Sequence, residues 1–242
     1  MITNEDILPY GANKLKQVSK IKRHLYVCSN VKGDFDGLEA AMKASSFKAG
    51  RGDILLSMGD LFGNKGGNAQ LLSLFGANWF HAILGIEECW MIAGISAYKA
   101  QDDQEMLDTY QARHGHWLSN RSLKASTLNS CYQKLADSPL AYQAQIKSIR
   151  YGFIYGGVSL ADWESFQFVS AEKLAKDSLF NPLISRASAI TPIKNIDYVY
   201  FNHPELSSPT VSFNSLLLPT NGDDLQFHLV GGPISLMANR SQ

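Results

Sequence analysis

Three short apolar runs, each followed at once by polar and glycine residues, constrain the fold of this chain more than any other feature. They cover residues 24–28, 54–58 and 81–84. Apolar residues recur at helical spacing after each run, which predicts helices over about 36–45, 68–75 and 87–97. The resulting β-α-β-α-β-α order predicts right-handed crossovers and a largely parallel sheet.

Polar side chains stand directly after these runs. Asp60 closes the second run, whereas Asn30 and Lys32 follow the first. Glu87 and Glu88 follow the third. Because parallel strands end at one edge of a sheet, where ligands commonly bind, these side chains are expected to lie close together. Asp60 taken alone has a simpler interpretation, a helix cap behind a core strand. The repetition at three successive runs favours a shared functional edge.

The composition is that of an ordinary globular protein. Of 242 residues, 45% are hydrophobic and 18% are charged, and the 22 Lys and Arg balance the 22 Asp and Glu. This length fits one large α/β domain or two small ones. The balanced charge gives no indication of binding to nucleic acid or to an anionic membrane. Three cysteines, odd in number and far apart, favour a reducing compartment. No apolar run reaches the roughly 18 residues of a membrane span, so we expect a cytoplasmic protein.

The segments outside these three strand-helix units differ from one another in polarity and in predicted secondary structure. Residues 1–23 are polar and lysine-rich, which is typical of a solvated arm. Residues 98–138 are polar with an intermittent apolar face, which predicts a mostly helical insertion or lid. Short strands are predicted after residue 149, with a helix over about 171–179. We expect all of these to belong to a single domain over 1–242.

The strand-end segments resemble those of the lambda-phage-type serine/threonine protein phosphatases, within the calcineurin-like metallophosphoesterase superfamily. That family carries Gly-Asp-x-His-Gly, then Gly-Asp-x-x-Asp-Arg-Gly, then Gly-Asn-His-Glu. This chain has Ser-Asn-Val-Lys-Gly at 29–33, Gly-Asp-Leu-Phe-Gly-Asn-Lys at 59–65 and Gly-Ile-Glu-Glu at 85–88. The resemblance covers about 24–95 well and 135–230 more loosely. It implies an α/β fold, a four-layer α/β/β/α sandwich with mixed sheets.

The resemblance also implies a pair of divalent metals, which activate a bridging water in such enzymes. Most of the corresponding ligand positions are changed in this chain. The six aligned residues are Asn30, Lys32, Asp60, Ile86, either Tyr155 or Gly156, and His203. Of these, Asp60 and His203 keep the family's residue type. We therefore expect no metal cofactor, and Asp60 with His203 as the ligands if one binds.

Residues that would handle phosphate are changed as well. Glu87 stands in place of the family's general-acid histidine, and Gly63-Asn64 replaces an Asp-Arg pair. Arg186 is a candidate for a downstream phosphate-binding arginine. These changes predict a catalytically inactive phosphatase-like protein, a pseudophosphatase of phage or bacterial type. The alternative is an active phosphoesterase that uses manganese or another divalent metal on a reduced ligand set, namely Asp60, His203, Glu87 and Glu88.

Lys32 gives this prediction a specific form. An ammonium group in place of a metal-ligating histidine would neutralise the buried Asp60 carboxylate without a metal. We expect Lys32 within salt-bridge distance of Asp60, with His203 nearby. The alternative is that Lys32 points to solvent.

A protein without catalysis can still bind a partner. The groove at the strand ends would be edged by charged and aromatic residues, namely Asp34, Phe35, Phe62, Asn64, Lys65 and Trp90. The hypothesis is that the loop over 61–67 binds a protein partner, with Phe62 as an exposed anchor and Lys65 supplying charge. The glycines of this loop predict a tight turn and not a phosphate cradle, because they match no P-loop spacing.

Overall fold

The computed structural model describes residues 2–3, 6–7, 14–18, 21–119, 123–157, 161–180, 192–203, 209–219 and 224–231. The strands within these ranges are β1 (Leu15–Val18), β2 (Leu25–Ser29), β3 (Ile54–Ser57), β4 (Phe80–Ala82), β5 (Ala141–Ile146), β6 (Ile149–Ile154), β7 (Tyr198–His203), β8 (Thr210–Ser212), β9 (Ser215–Pro219) and β10 (Gln226–Leu229). The α-helices are α1 (Phe35–Ala44), α2 (Asn68–Ser73), α3 (Ile86–Ala100), α4 (Gln104–His114), α5 (Ala125–Ala136) and α6 (Ala171–Phe180).

The three apolar runs form neighbouring strands, as predicted. The smaller sheet has the order β10-β2-β3-β4. Strands β2, β3 and β4 pair in parallel, and β10 joins β2 in the antiparallel direction. All five residues of β2 are buried, because this strand lies inside the sheet with both faces covered.

The larger sheet is mixed and packs on the smaller one. Its order is β1-β5-β6-β7-β9-β8. Alternate residues of both sheets meet in an apolar layer that includes Leu25, Leu56, Tyr142, Phe153 and Leu216. The other faces of the sheets pack in a larger core with the helices. These layers form the predicted α/β/β/α sandwich.

Aspartate side chains cap the starts of α1 and α4. The Asp34 side chain accepts a hydrogen bond from the Gly37 N–H at 2.8 Å and so starts α1. Asp103 caps α4 in the same way through the Met106 N–H at 2.9 Å. Helices α4 and α5 lie in the middle segment where helix was predicted. None of the helices in the described ranges has the length and apolar character of a membrane span.

The prediction of a solvated arm over 1–23 is wrong for part of its length. Residues Leu15–Val18 form β1, which pairs in parallel with β5. Lys16 and Gln17 of this edge strand are exposed, whereas Leu15 packs against the core. Edge strands commonly carry lysine on their open side, so the polar composition of this segment did not indicate a strand. Strand β5 was missed as well.

Candidate functional site

The ends of β2 and β3 meet in a strained backbone. Asn30, Lys32 and Asp60 all have positive φ, at 59°, 51° and 54°. Such left-handed conformations are costly for non-glycine residues and concentrate at functional sites. The Lys32 N–H donates to the Asp60 carbonyl at 2.9 Å, so the two strand-end loops are joined directly.

The glycines after Asp60 allow these loops to touch. A Cβ placed on Gly63 would lie 2.5 Å from the Lys32 carbonyl oxygen, and one on Gly67 would lie 2.6 Å from the Gly33 carbonyl oxygen. The Asn68 side chain also bonds both the N–H and the carbonyl of Gly63, at 3.1 and 2.7 Å. The prediction of a tight turn here is confirmed.

Tyr155 fills the centre of this edge. Its hydroxyl donates a hydrogen bond to Asp60 Oδ1 at 2.9 Å. Its ring lies against two glycines, because a Cβ on Gly59 would be 2.4 Å from the ring and one on Gly85 would be 2.8 Å from it. Of the two residues left open at this position, Tyr155 and not Gly156 thus contacts the aspartate. The ring occupies space beside Asp60 at the junction of the first three motifs.

The Asp60 carboxyl group is surrounded by other acids. Burial raises its pKa to about 6, and the Glu87 charge adds to this rise. The Tyr155 hydrogen bond and the Lys32 and Arg113 charges act in the opposite direction. Asp60 is therefore partly protonated near neutral pH.

Glu88 stabilises the backbone around it. Its carboxylate accepts hydrogen bonds from the N–H groups of Asp60, Leu61 and Gly85, at 3.1, 2.9 and 3.0 Å. These bonds tie the start of α3 to the end of β3. Burial and the nearby Asp60 charge raise the pKa of Glu88, while the backbone bonds oppose that rise.

Glu87 is bound by two residues of α4. The Arg113 guanidinium reaches both of its oxygens, with an Nε–Oε2 distance of 2.9 Å. His114 Nε2 lies 2.9 Å from the same Oε2, although neither ring nitrogen meets hydrogen-bond geometry among the described residues. Burial alone would raise the pKa of Glu87, but His114 and Arg113 hold it at about 2. Glu87 is therefore ionised and paired with the Arg113 cation. It stands at the position that aligns with the general-acid histidine of the resembled family.

Sequence reasoning missed the role of Arg113. No motif marks it, and it lies 26 residues from Glu87 in the chain. The contact exists because α4 packs on α3, where the Tyr110 ring covers Gly94. His114 lies within the segment predicted as an insertion or lid, and the structure buries it beneath Tyr110 with ring centroids 4.8 Å apart.

The residues at this edge do not fit a pair of divalent metals. Ile86 is aliphatic, and the Lys32 ammonium has three donors and no acceptor. The Tyr155 phenol stays protonated, because burial and the Asp60 charge raise its pKa well above 10. Divalent metals require deprotonated oxygen, nitrogen or sulfur ligands. Asp60 is thus the one carboxylate of the aligned ligand set among the described side chains.

Other predicted site residues fall in different places. Asn30 is buried and its Nδ2 donates to the Asp224 carbonyl at 2.9 Å, so it fastens the end of β2 to the start of β10. Lys32 is half-buried and its charge lowers the pKa of Asp60. Direct contact of their charged atoms stays a prediction. His203 ends β7, but its side chain lies outside the described part of the structure. Arg186 lies outside the described residues altogether.

The prediction of Phe62 as an exposed anchor is wrong. Phe62 is fully buried and stacks on Phe75 with ring centroids 6.3 Å apart. Trp90 is buried beneath Arg113, and Phe35 packs against the main core. The sequence suggested exposure because glycines follow Phe62, but only the residues after it reach the surface.

The exposed part of the loop is polar. Asn64 and Lys65 are exposed, and Lys65 Nζ lies 3.6 Å from Asp34 Oδ2. The two side chains are 34% and 35% exposed, and ion pairs near the surface contribute at most about 1 kcal/mol. The loop therefore presents charge but no apolar anchor.

Comparison with known proteins identifies the fold. No protein-family model and no curated protein sequence matches the chain. A structure assigned as a diadenosine tetraphosphatase superposes with a TM-score of 0.59 at 17% identity, over 91% of this chain and 95% of that one. A protein serine/threonine phosphatase from Saccharomyces cerevisiae with similarity to human phosphatase PP5 gives a TM-score of 0.57 at 12% identity, over 98% and 83%.

Identities this low report on the backbone arrangement alone. The two mixed sheets and their flanking helices agree with those likenesses. The chain therefore has a calcineurin-like phosphoesterase fold.

Proposed function

We propose that this protein is a phosphatase-like protein without phosphoesterase activity, which acts by binding a protein partner. One observation carries the proposal: the Tyr155 ring and hydroxyl fill the space beside Asp60. In a two-metal phosphoesterase, the bridging carboxylate needs metals and a reactive water on that side. A neutral phenol that donates a hydrogen bond competes for the same lone pairs.

The engagement of the neighbouring carboxylates supports this proposal over an enzyme with a reduced metal site. Glu88 holds three backbone N–H groups, and Glu87 is paired with Arg113. A metal could recruit either carboxylate only by breaking those contacts. The three buried N–H groups would each lose an acceptor at a cost of about 1–3 kcal/mol, which opposes such a rearrangement at Glu88.

The proposed partner would meet a polar surface at the strand-end loop. Asn64 and Lys65 project there, and Phe62 does not. Charge complementarity at such a rim mainly affects association rate and specificity. We therefore expect the partner to present acidic groups towards Lys65.

Hydrolysis of para-nitrophenyl phosphate with added Mn²⁺ tests the proposal. We expect no turnover above that of a blank preparation. A matched variant restores the family's ligand types with the substitutions Asn30→Asp, Lys32→His, Ile86→Asn and Tyr155→His. Greater turnover by this variant would show that the assay detects the fold's chemistry. Mn²⁺-dependent turnover by the unmodified protein that disappears in Asp60→Asn would contradict the proposal.

A further inference from the structure

A cavity lies between the two sheets, at the opposite end of β3 from Asp60. It has a volume of about 380 Å³, and its lining includes Asp53 and Ile54 at the start of β3 and Tyr142 of β5 in the facing sheet. Pockets that hold ligands commonly range from about 300 to 1,000 Å³. The cavity is therefore large enough to receive one large side chain of another molecule.

The walls of this cavity are mainly apolar. Its aliphatic and ring side chains are Ile21, Ile54, Trp79, His81 and Tyr142. The Tyr142 hydroxyl is fully buried and closed to the cavity. Burial and the Lys16 charge lower the pKa of His81 to about 4, so its ring is neutral near pH 7. A polar group placed here would exchange water for few partners, which favours an apolar occupant.

Four exposed cations form a basic rim around the cavity, namely Lys16, Lys22, Lys48 and Arg51. Lys22 lines the cavity directly, whereas Lys48 and Arg51 stand at the two ends of a short turn on one wall. Lys16 stands in register with Tyr142 between β1 and β5. Within the described ranges, none of the four forms an ion pair. The basic rim thus presents its positive charge to solvent.

The acidic charge at this cavity is already compensated. Asp53 is the acidic side chain among the described lining residues, and it is fully buried. The Lys48 N–H at 2.7 Å and Arg23 Nε at 3.4 Å compensate its carboxylate. The chain as a whole balances 22 basic against 22 acidic residues, so the excess of positive charge belongs to this surface. Because complementary charge guides association and specificity, the basic rim favours an acidic partner.

We propose that this cavity and its basic rim bind an acidic segment of a protein partner, with one large apolar side chain in the cavity and carboxylates facing the rim. A single-stranded nucleic acid also carries negative charge, but a base in the cavity would leave its polar edge without partners. An apolar side chain has no such edge. The proposal rests on the partner-binding part of the proposed function and not on the absence of hydrolysis, because none of these residues belongs to the strand-end edge.

Titration of the full chain with the peptide acetyl-Asp-Glu-Asp-Phe-Asp-Glu-Asp-amide, followed by NMR at low ionic strength, tests this proposal. We expect a saturable shift of the Trp79 indole N–H, with a Kd below about 1 mM. The indole signals of Trp117 and Trp163, which do not line the cavity, should stay in place. Replacing Phe by Ser in the peptide should weaken binding by at least about tenfold, because the apolar contact is lost. Replacing its acids by Lys should abolish binding.

Substitutions in the protein locate the binding surface. The double variant Lys22→Glu with Lys48→Glu reverses half of the basic rim and should weaken the acidic peptide by about tenfold or more. Both side chains are exposed, so the fold should be kept, and unchanged Trp117 and Trp163 signals verify this. Lys65→Met, at the other end of β3, is the matched control and should leave binding unchanged. Weaker binding in Lys65→Met with full binding in the double variant would place the peptide at the strand-end loop. That result would overturn this proposal while leaving the proposed function intact.

Other results would also contradict the proposal. One is the absence of a saturable Trp79 shift up to about 10 mM peptide, a concentration well above the Kd expected of a specific site. Equal binding of the Phe and Ser peptides would show that the cavity receives no side chain. An oligothymidine that shifts Trp79 and binds more tightly than the peptide would assign the surface to nucleic acid. Trp79 shifts that follow protein concentration without peptide would assign it to a second copy of this chain.

Discussion

Two aspartates flank the same strand, and their surroundings are opposite. Asp53 precedes β3 and is buried among donors, with the Lys48 N–H at 2.7 Å, His24 Nδ1 at 3.1 Å and Arg23 Nε at 3.4 Å. Asp60 follows β3 and has the Tyr155 hydroxyl as its hydrogen-bond donor, with Glu87 and Glu88 close by.

The difference separates a buried carboxylate whose charge is compensated from one that lies among other acids. A buried carboxylate is stable when donors and cations compensate its charge, as at Asp53. Three acids close together oppose the stability of the fold, and such groups of acids are typical of functional sites. Asp60 is retained at a cost that Tyr155, Lys32 and Arg113 reduce.

Substitution of Glu88 should have the largest effect on stability. Glu88 lies at the strand-end site, but its carboxyl group, like that of Asp53, accepts hydrogen bonds from buried donors. We predict that Glu88→Ala lowers the free energy of unfolding by about 4 kcal/mol, since three buried N–H groups lose their acceptor. Urea denaturation measures this loss. Glu39→Ala, on the exposed side of α1, is the control and should change stability by less than about 0.5 kcal/mol. Similar values for the two variants would show that the backbone bonds of Glu88 contribute little.

Asp53→Asn should give the next largest loss. The amide removes the negative charge that compensates Arg23, so we predict destabilisation by about 3 kcal/mol. Thermal or urea unfolding at pH 7 provides the measurement. Asp60→Asn is the matched control, since it makes the same chemical change at the other end of β3. Equal losses in the two variants would remove the contrast between the aspartates.

Asp60→Asn should stabilise the protein, with a defined pH dependence. The folded-state pKa of Asp60 is raised from 3.8 to about 6, so its favourable contribution is complete below pH 4 and is lost as pH rises through 6. The variant should match the unmodified protein near pH 4 and exceed its stability by about 2 kcal/mol at pH 7.5. Unfolding curves at both pH values test this. A variant less stable at pH 7.5 would indicate that the ionised carboxylate is stabilising.

Lys32→Met should have the smallest effect. The Lys32 charge favours the ionised form of Asp60, so its loss should cost about 1 kcal/mol at pH 7.5. The same substitution in an Asp60→Asn background should cost nothing. A double-mutant cycle measures this coupling directly. Additive losses would show that the two charges do not interact.

Much of the fold could be predicted from local sequence. The runs that became β2, β3 and β4 are apolar, short and closed by glycine or polar residues, so pattern alone identified them. Strand β1 could not be found in this way, because Lys16 and Gln17 face solvent on an edge strand. An edge strand is only partly buried, so its sequence can be mostly polar and show little of the alternation of apolar and polar residues that marks a strand.

The site was predictable where residues align with the family's motifs. Asp60 and Glu87 stand at motif positions, and the resemblance also marked Tyr155 or Gly156, whereas no motif marks Arg113, which reaches Glu87 through the packing of α4. The prediction that Phe62 is exposed was wrong for a related reason. Its neighbours are glycines, which favour a surface loop, but its ring turns inward onto Phe75, and no local pattern records that direction.

Direct measurement of metal content tests the central proposal, that Tyr155 occupies the space beside Asp60 in place of metals. The protein is equilibrated with excess Mn²⁺, freed of unbound ions and analysed by elemental mass spectrometry beside Asp60→Asn and the variant with restored ligands. We predict metal well below one ion per chain in the first two, and more in the restored variant. About two ions per chain in the unmodified protein, as a dinuclear phosphoesterase holds, lost on Asp60→Asn, would contradict the account.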